Sequence, residues 1–393
     1  MPNYAPAFSV SEYQRRLSLV RSQMAADGVD VLFVTNPSNM AWLTGYDGWS
    51  FYVHQGVIIQ LEADPMWWGR HMDSFGAHRT CWIPDERVLS YSDDWVQSDE
   101  RHAMQHLAAI LADLGYGGAR IGVEMENYYF TAAAMDALRG ALPDAAWVDS
   151  TNLVNWQRTV KSDEELAFMR KAAAISTKMI DGIMDRVAVG LPKNELVADI
   201  YRDALIGVEG AWGDYPAIVP LLPSGPDAAA AHLTWDGRPF QANEATFFEI
   251  SGCYRRYHAP LCRTVYLGDP PSEMRHAEAA VQRGIEAALD SARPGNRACD
   301  IAVALKAELA KAGIDRQGRV GYAVGLSYPP DWGEHTVSLR EADLTPLRAG
   351  MSFHLMPALW MKDWGLEITE TIVIREEGPA ECLADVPQTL VAK

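Results

Sequence analysis

The chain has 393 residues, 48% of them hydrophobic and 22% charged, with a net charge of −18. That length exceeds one ordinary core and suits two domains, and the composition is that of a globular protein. The negative balance argues against a nucleic-acid or anionic-membrane surface, since either would repel it.

Taken in chain order, Ser9-x-x-Glu12 reads as a capping box. Tyr13, Leu17, Val20 and Met24 form a helical stripe that stops near Gly28. VDVLFVTN follows as a buried strand, and VHQGVIIQLEADPMWW as another strand with a turn. A helix around 101–114, the strand ARIGVEM and a helix around 130–141 continue the alternation. Residues 1–155 are therefore expected to form an α/β domain with a mixed sheet. Ser162-x-x-Glu165 caps a second start, a long helix with Leu166, Met169 and Ala173 at helical spacing. Helices near 193–208, 273–292 and 299–312 alternate with strands near 245–251, 261–267, 351–357 and 367–374. This predicts an α+β domain over 156–393, with helices packed on a curved antiparallel sheet.

No run approaches the ~18 apolar residues of a membrane span. The start MPNYAPAFSVSEYQ lacks the basic-then-apolar order of a secretory leader. Cys81, Cys253, Cys262, Cys299 and Cys382 are scattered and form no CxxC pair. Reduced thiols in a cytoplasm are expected, without disulfides or a zinc site.

FFEISGCYRRYHAPLCRT, 247–264, has the frame of a catalytic strand pair, with Glu249 followed by a Gly and Tyr turn and a close on Arg263-Thr264. Together with KSDEELAFMRKA, GYAVGLSYPP, GMSFHLMP and GLEITETIVI, it resembles the creatinase/prolidase/methionine aminopeptidase superfamily over nearly the whole chain. The resemblance implies a creatinase-like N-terminal domain and a C-terminal pita-bread domain. The superfamily's metallopeptidases hold two metals with two Asp, one His and two Glu. Those positions fall here on Glu249, Pro260, Tyr322, Met356 and Thr369, or Glu370 if the preceding turn is one residue shorter. Proline nitrogen and a thioether do not bind hard divalent cations, so neither metal nor cofactor is expected.

GYDGWSFYVHQG, AHLTWDGRPFQ, YRRYHAPLCRT and SYPPDWGEH resemble, more narrowly, the ectoine hydrolases, metal-free members that open a cyclic amidine. This implies hydrolysis of ectoine, and of 5-hydroxyectoine as a possible second substrate, to N-acetyl-L-2,4-diaminobutyrate. It also implies a homodimer and a pathway deacetylase as functional partner. A creatinase-like hydrolase of another small amidine or guanidine is the enzyme alternative. A pita-bread binding module, as in eukaryotic histone chaperones, is the non-enzyme one.

The resemblance also suggests roles. His232 matches the histidine general acid/base of creatinase. Glu249, in the apolar strand TFFEIS, would hold the amidinium or activate water, the structural alternative being a salt bridge to Arg255, Arg256 or Arg263. Arg340 matches the arginine that meets the substrate carboxylate in creatinase, whose second arginine, in a Phe-x-Arg pair, is missing from Phe51-Tyr52-Val53. Phe51, Tyr52 and His54 would complete the partner subunit's site. Tyr322 would fill the vacated metal space, and Arg263 either meets substrate or supports the strand pair. Trp235 and Trp332, with Trp49 and Trp360, are candidate walls for the cation. Glu367 and Glu370 point to opposite faces of a strand. The 14 residues from Met356 to Glu370 favour Glu370 as the one lining the cleft.

Overall fold

The computed structural model describes residues 6–393; the first five, part of the stretch read for a leader, lie outside the described residues. The chain divides into two compact units, one ending at Arg158 and the other beginning at Thr159.

In the first unit, α1 (Val10–Asp27) starts where the sequence places it, with Ser9 Oγ accepting from the Glu12 N–H. Glu12 does not return to the cap; its carboxylate instead pairs with Arg15 and Arg16 at 2.7 and 2.8 Å. Tyr13, Leu17, Val20 and Met24 are all buried, and the helix ends at Gly28 in the left-handed region. There follow β1 (Val31–Val34), α2 (Pro37–Thr44), β2 (Gly56–Gln60), β3 (Met66–Arg70), α3 (His71–Thr80), β4 (Val88–Tyr91), α4 (Ala103–Asp113), β5 (Arg120–Val123), α5 (Ala132–Ala141), β6 (Ala146–Asp149) and α6 (Leu153–Gln157). The sheet order is β4-β3-β2-β1-β5-β6, and β1 runs antiparallel to β2 but parallel to β5. The mixed α/β sheet is thus observed. Helix α3 was not legible in the sequence because it buries only Ser74 and Ala77 and so carries no apolar stripe.

The second unit opens with α7 (Asp163–Arg186), whose capping box is complete: Ser162 Oγ accepts from Glu165 N–H and Glu165 accepts from Ser162 N–H. Then come α8 (Lys193–Ile206), β7 (Ala245–Tyr254), β8 (Tyr257–Tyr266), α9 (Ser272–Ser291), α10 (Ala298–Lys311), β9 (Gly321–Val324), β10 (Gly333–Ser338), β11 (Ser352–Leu355), β12 (Leu359–Trp360), β13 (Gly365–Leu366), β14 (Glu370–Val373), β15 (Glu381–Cys382) and β16 (Val391–Ala392). One sheet is ordered β10-β9-β11-β14-β15, a second β16-β8-β7, and β12 and β13 pair as a third; a bridge between Cys262 and Thr369 joins the first two.

The β7–β8 turn is not made by Gly252 and Tyr254, as the sequence frame suggests. It is the two-residue turn Arg255-Arg256, both at positive φ (51° and 67°). Gly252 lies inside β7, where a Cβ would come within 2.2 Å of the Ala172 carbonyl oxygen, so its absence lets α7 pack close. Phe248, Ile250, Leu261 and Val265 face α7 and α8, while α9 and α10 cover Phe353, Leu355 and Ile372. The opposite face of β7 and β8 carries Glu249 and Thr264 beside the apolar cluster of Phe247 and Cys262.

Candidate active site

Alternation along β7 and β8 sends Glu249 to the face away from α7, directly across from Cys262. Cys262 Sγ stands 3.4 Å from Oε2 of Glu367, which brings both glutamates to one buried patch. Thr264 fixes Glu367 in place, since its hydroxyl accepts from the Glu367 N–H at 2.8 Å and donates to the Glu367 carbonyl at 2.9 Å. Oε1 of Glu367 is buried without a hydrogen-bond partner. Burial, reinforced for Glu249 by the Glu367 charge, raises Glu249 well above the carboxylate range; burial also pushes Glu367 up to about 7. The two therefore behave as a pair that resists losing both protons.

Glu370, favoured from spacing, is not the residue that meets Glu249. It binds Arg263, on the other face of β8. Arg263 in turn donates to the carbonyls of Pro387 at 2.7 Å and of Cys262, Thr369 and Val386 at 2.8 Å. With its donors spent on the scaffold, Arg263 has none to offer a substrate, which corrects its substrate-binding assignment.

Behind the glutamates runs a chain of hydrogen bonds. Trp332 Nε1 donates to Tyr322 Oη at 2.8 Å, Tyr322 Oη lies 3.2 Å from His354 Nδ1, and His354 Nε2 lies 2.7 Å from Thr369 Oγ1. Burial holds His354 down near 3, so it is neutral, and the chain is satisfied with Tyr322 donating to Nδ1 and Nε2–H donating to Thr369. Trp332 is therefore a buried support for Tyr322. His354 escaped sequence reasoning, although its alternation with Met356 in SFHLM was an available signal.

The remaining candidates are more dispersed. His232 is exposed, in the loop after the short helical turn Gly225–Ala229, and that turn packs on β7 and β13. Trp235 packs edge-on against Tyr201 at 6.4 Å and adjoins the α7–α8 core. Arg340 is exposed just after β10. In the first unit, Phe51 packs against Trp49 and Tyr129, and Tyr52 is exposed. His54 lies 4.7 Å from the His102 ring beside a cavity of about 170 Å³; burial and that neighbour bring it down to about 4.

Residues 167–376 match metallopeptidase family M24, and residues 16–160 match the creatinase/prolidase N-terminal domain. The chain belongs to family M24. This M24 chain is 54% identical over 397 residues to an ectoine hydrolase of Halomonas elongata, covering 98% of each sequence. It is 40% identical over 388 residues to an uncharacterized hydrolase/peptidase of Sinorhizobium fredii, again over 98% of each. In fold it is similar to the dipeptidase PepE of Mycobacterium ulcerans, with a TM-score of 0.81, 23% identity and coverage of 98% and 99% of the two chains. The expected creatinase-like and pita-bread architecture is thus observed, and the protein is an enzyme, a hydrolase of C–N bonds.

The two-metal centre of M24 peptidases does not fit these side chains. The positions that the resemblance assigns to it hold Glu249, Pro260, Tyr322, Met356 and Thr369 or Glu370. Tyr322 and Thr369 are engaged with Trp332 and His354, and the Pro260 carbonyl accepts from Thr371 at 2.8 Å. Among the described residues no three His, Cys, Asp or Glu side chains are arranged to ligate one ion.

Proposed function

We propose that this protein opens the cyclic amidine ectoine, and also 5-hydroxyectoine, by hydrolysis to N-acetyl-L-2,4-diaminobutyrate, without a metal ion. The observation that carries the proposal is the buried Glu249–Glu367 pair, in which one carboxylate oxygen has no partner. Two such buried groups disfavour ionising together, and the delocalised amidinium of ectoine is a cation that would pair with them. The similarity to the Halomonas elongata enzyme supports the same substrate.

In the proposed reaction the amidinium pairs with the glutamates and displaces the protons that burial keeps on them. Glu249 then takes a proton from a water as its oxygen adds to the carbon between the two ring nitrogens, already electrophilic in the cation. His232 protonates one nitrogen of the adduct, and that C–N bond breaks. The adduct's hydroxyl proton is lost as the acetamide carbonyl forms, and the freed amine leaves as an ammonium. Glu249 and His232 are reset by passing one proton between them through solvent. A homodimer, with Phe51, Tyr52 and His54 completing the partner subunit's site, and a deacetylase acting on the product in the cytoplasm belong to the same proposal.

The deciding experiment is incubation of EDTA-treated protein with ectoine, followed by NMR. Loss of the ring and appearance of an acetamide are expected at the untreated rate. Activity that disappears with EDTA and returns with a divalent ion would refute metal independence. Inertness toward ectoine, creatine and a proline dipeptide would instead favour a binding protein.

The pair also predicts a proton count. Below about pH 7 the free protein holds a proton on Glu367 that the bound cation displaces. Calorimetry in buffers of different ionisation enthalpy should show more protons released per ectoine near pH 6, where Glu249 and Glu367 are both protonated, than near pH 8, where Glu367 has ionised and only the Glu249 proton is displaced, with affinity rising as pH increases through this range. Proton uptake on binding would contradict the cation–carboxylate pairing.

A further inference from the structure

We propose that Arg316 and Trp360 form the carboxylate end of the substrate site, so that the cleft takes an amidinium–carboxylate zwitterion and discriminates against a bare cation. This rests on the amidine-hydrolase reading and deepens it. Trp360 pairs with Gly365 in the β12–β13 hairpin, two residues before Glu367. Gly365 is required there, because a Cβ would meet the Ala228 carbonyl oxygen at 2.1 Å. The indole packs on the cluster of Leu221, Ala228, Phe247 and Cys262, whose Cys262 thiol touches Glu367.

Arg316 comes from the loop between α10 and β9 and lays its guanidinium 5.0 Å from the centre of the Trp360 ring. Its Nη groups donate to the carbonyls of Gln317 and Arg319 in its own loop, which fixes the fork in place. Its Nε is buried without a partner, and so is Nε1 of Trp360. Two unused donors thus share a region with one unused acceptor, Oε1 of Glu367. Arg316 and Glu367 attract each other electrostatically, yet these two atoms do not meet. Buried polar atoms are rarely left unmade, and their pattern gives the complement of what belongs between them.

Two unused donors and one unused acceptor in the same region match a compact ligand with a carboxylate close to an N–H cation, which is the arrangement on the ectoine ring. Arg340, which family resemblance nominates for the carboxylate, is exposed on a turn and shows no such arrangement.

The test compares wild type and Arg316→Gln on ectoine and on 2-methyl-1,4,5,6-tetrahydropyrimidine, the same ring without the carboxylate. Loss of a charged hydrogen bond should raise KM for ectoine by about 10–100-fold, with kcat within a few-fold. KM for the carboxylate-free ring should change far less than KM for ectoine, and Arg316→Lys should recover part of the ectoine affinity. Trp360→Phe should raise KM for ectoine by a smaller factor, about fivefold. Equal losses on both rings, or discrimination lost in Arg340→Gln and kept in Arg316→Gln, would overturn the assignment while leaving the hydrolase reading intact. A wild-type protein that opens neither ring would overturn that reading, and the carboxylate clamp with it.

Discussion

Glu249→Gln is expected to lower kcat for ectoine ring opening by about 10³-fold without unfolding the protein. The substitution keeps the shape of the side chain and removes a carboxylate that burial and Glu367 already disfavour. The sign of the stability change follows from linkage. A carboxyl group whose pKa is raised in the folded state contributes most at low pH, and that contribution is lost as pH rises through the folded pKa. Above pH 7 the amide should therefore leave the unfolding midpoint unchanged or higher. Glu367→Gln should behave differently. It removes the charge that helps raise Glu249, so the acid limb of the kcat/KM profile should shift to lower pH while much of the activity persists. His232→Ala should cost about 10²-fold if the exposed imidazole reaches the leaving nitrogen in the complex. Circular dichroism and pH–rate profiles of the three variants decide among these roles. A Glu249→Gln enzyme with wild-type kcat would remove Glu249 from the chemistry.

The second large effect concerns stability. Arg263→Ala should destabilise the second unit by about 3–5 kcal/mol, because it leaves Glu370 as an uncompensated buried charge. It also strips the donors from the carbonyls of Cys262, Thr369, Val386 and Pro387. For a unit of this size that loss corresponds to a fall in Tm on the order of 10 °C. Replacing both partners, as in Arg263→Met with Glu370→Leu, should recover much of the loss, since an apolar pair of similar volume carries no desolvation cost. Thermal unfolding of the two single variants and the double variant measures the coupling directly. An Arg263→Ala protein with an unchanged Tm and a raised KM for ectoine would restore Arg263 to the substrate site.

What could be read from the chain follows from local chemistry. Ser162 and Glu165 start α7 through their own hydrogen bonds, and Gly28 ends α1 through its backbone, so those boundaries needed no tertiary information. The apolar neighbours in TFFEIS placed Glu249 in a buried strand, while Pro260 and Met356 depart from the ligand set only through the positions that the family resemblance implies. Period-two alternation also separated Glu367 from Glu370. It could not say which faces the site, because alternation defines two faces without naming either. That choice was made by the β7–β8 register, which sets Cys262 opposite Glu249, and by the Cys262–Thr369 bridge, which lays the following strand alongside. The sequence left Arg263 between meeting substrate and supporting the strand pair; the carbonyls of residues 386 and 387, over a hundred positions away, take its donors and decide for the scaffold. Arg316 carried no signal at all in its loop. Only the packing of that loop over Trp360 gives its unused N–H a meaning, since an unmet hydrogen bond is a property of the folded surroundings and not of the residue.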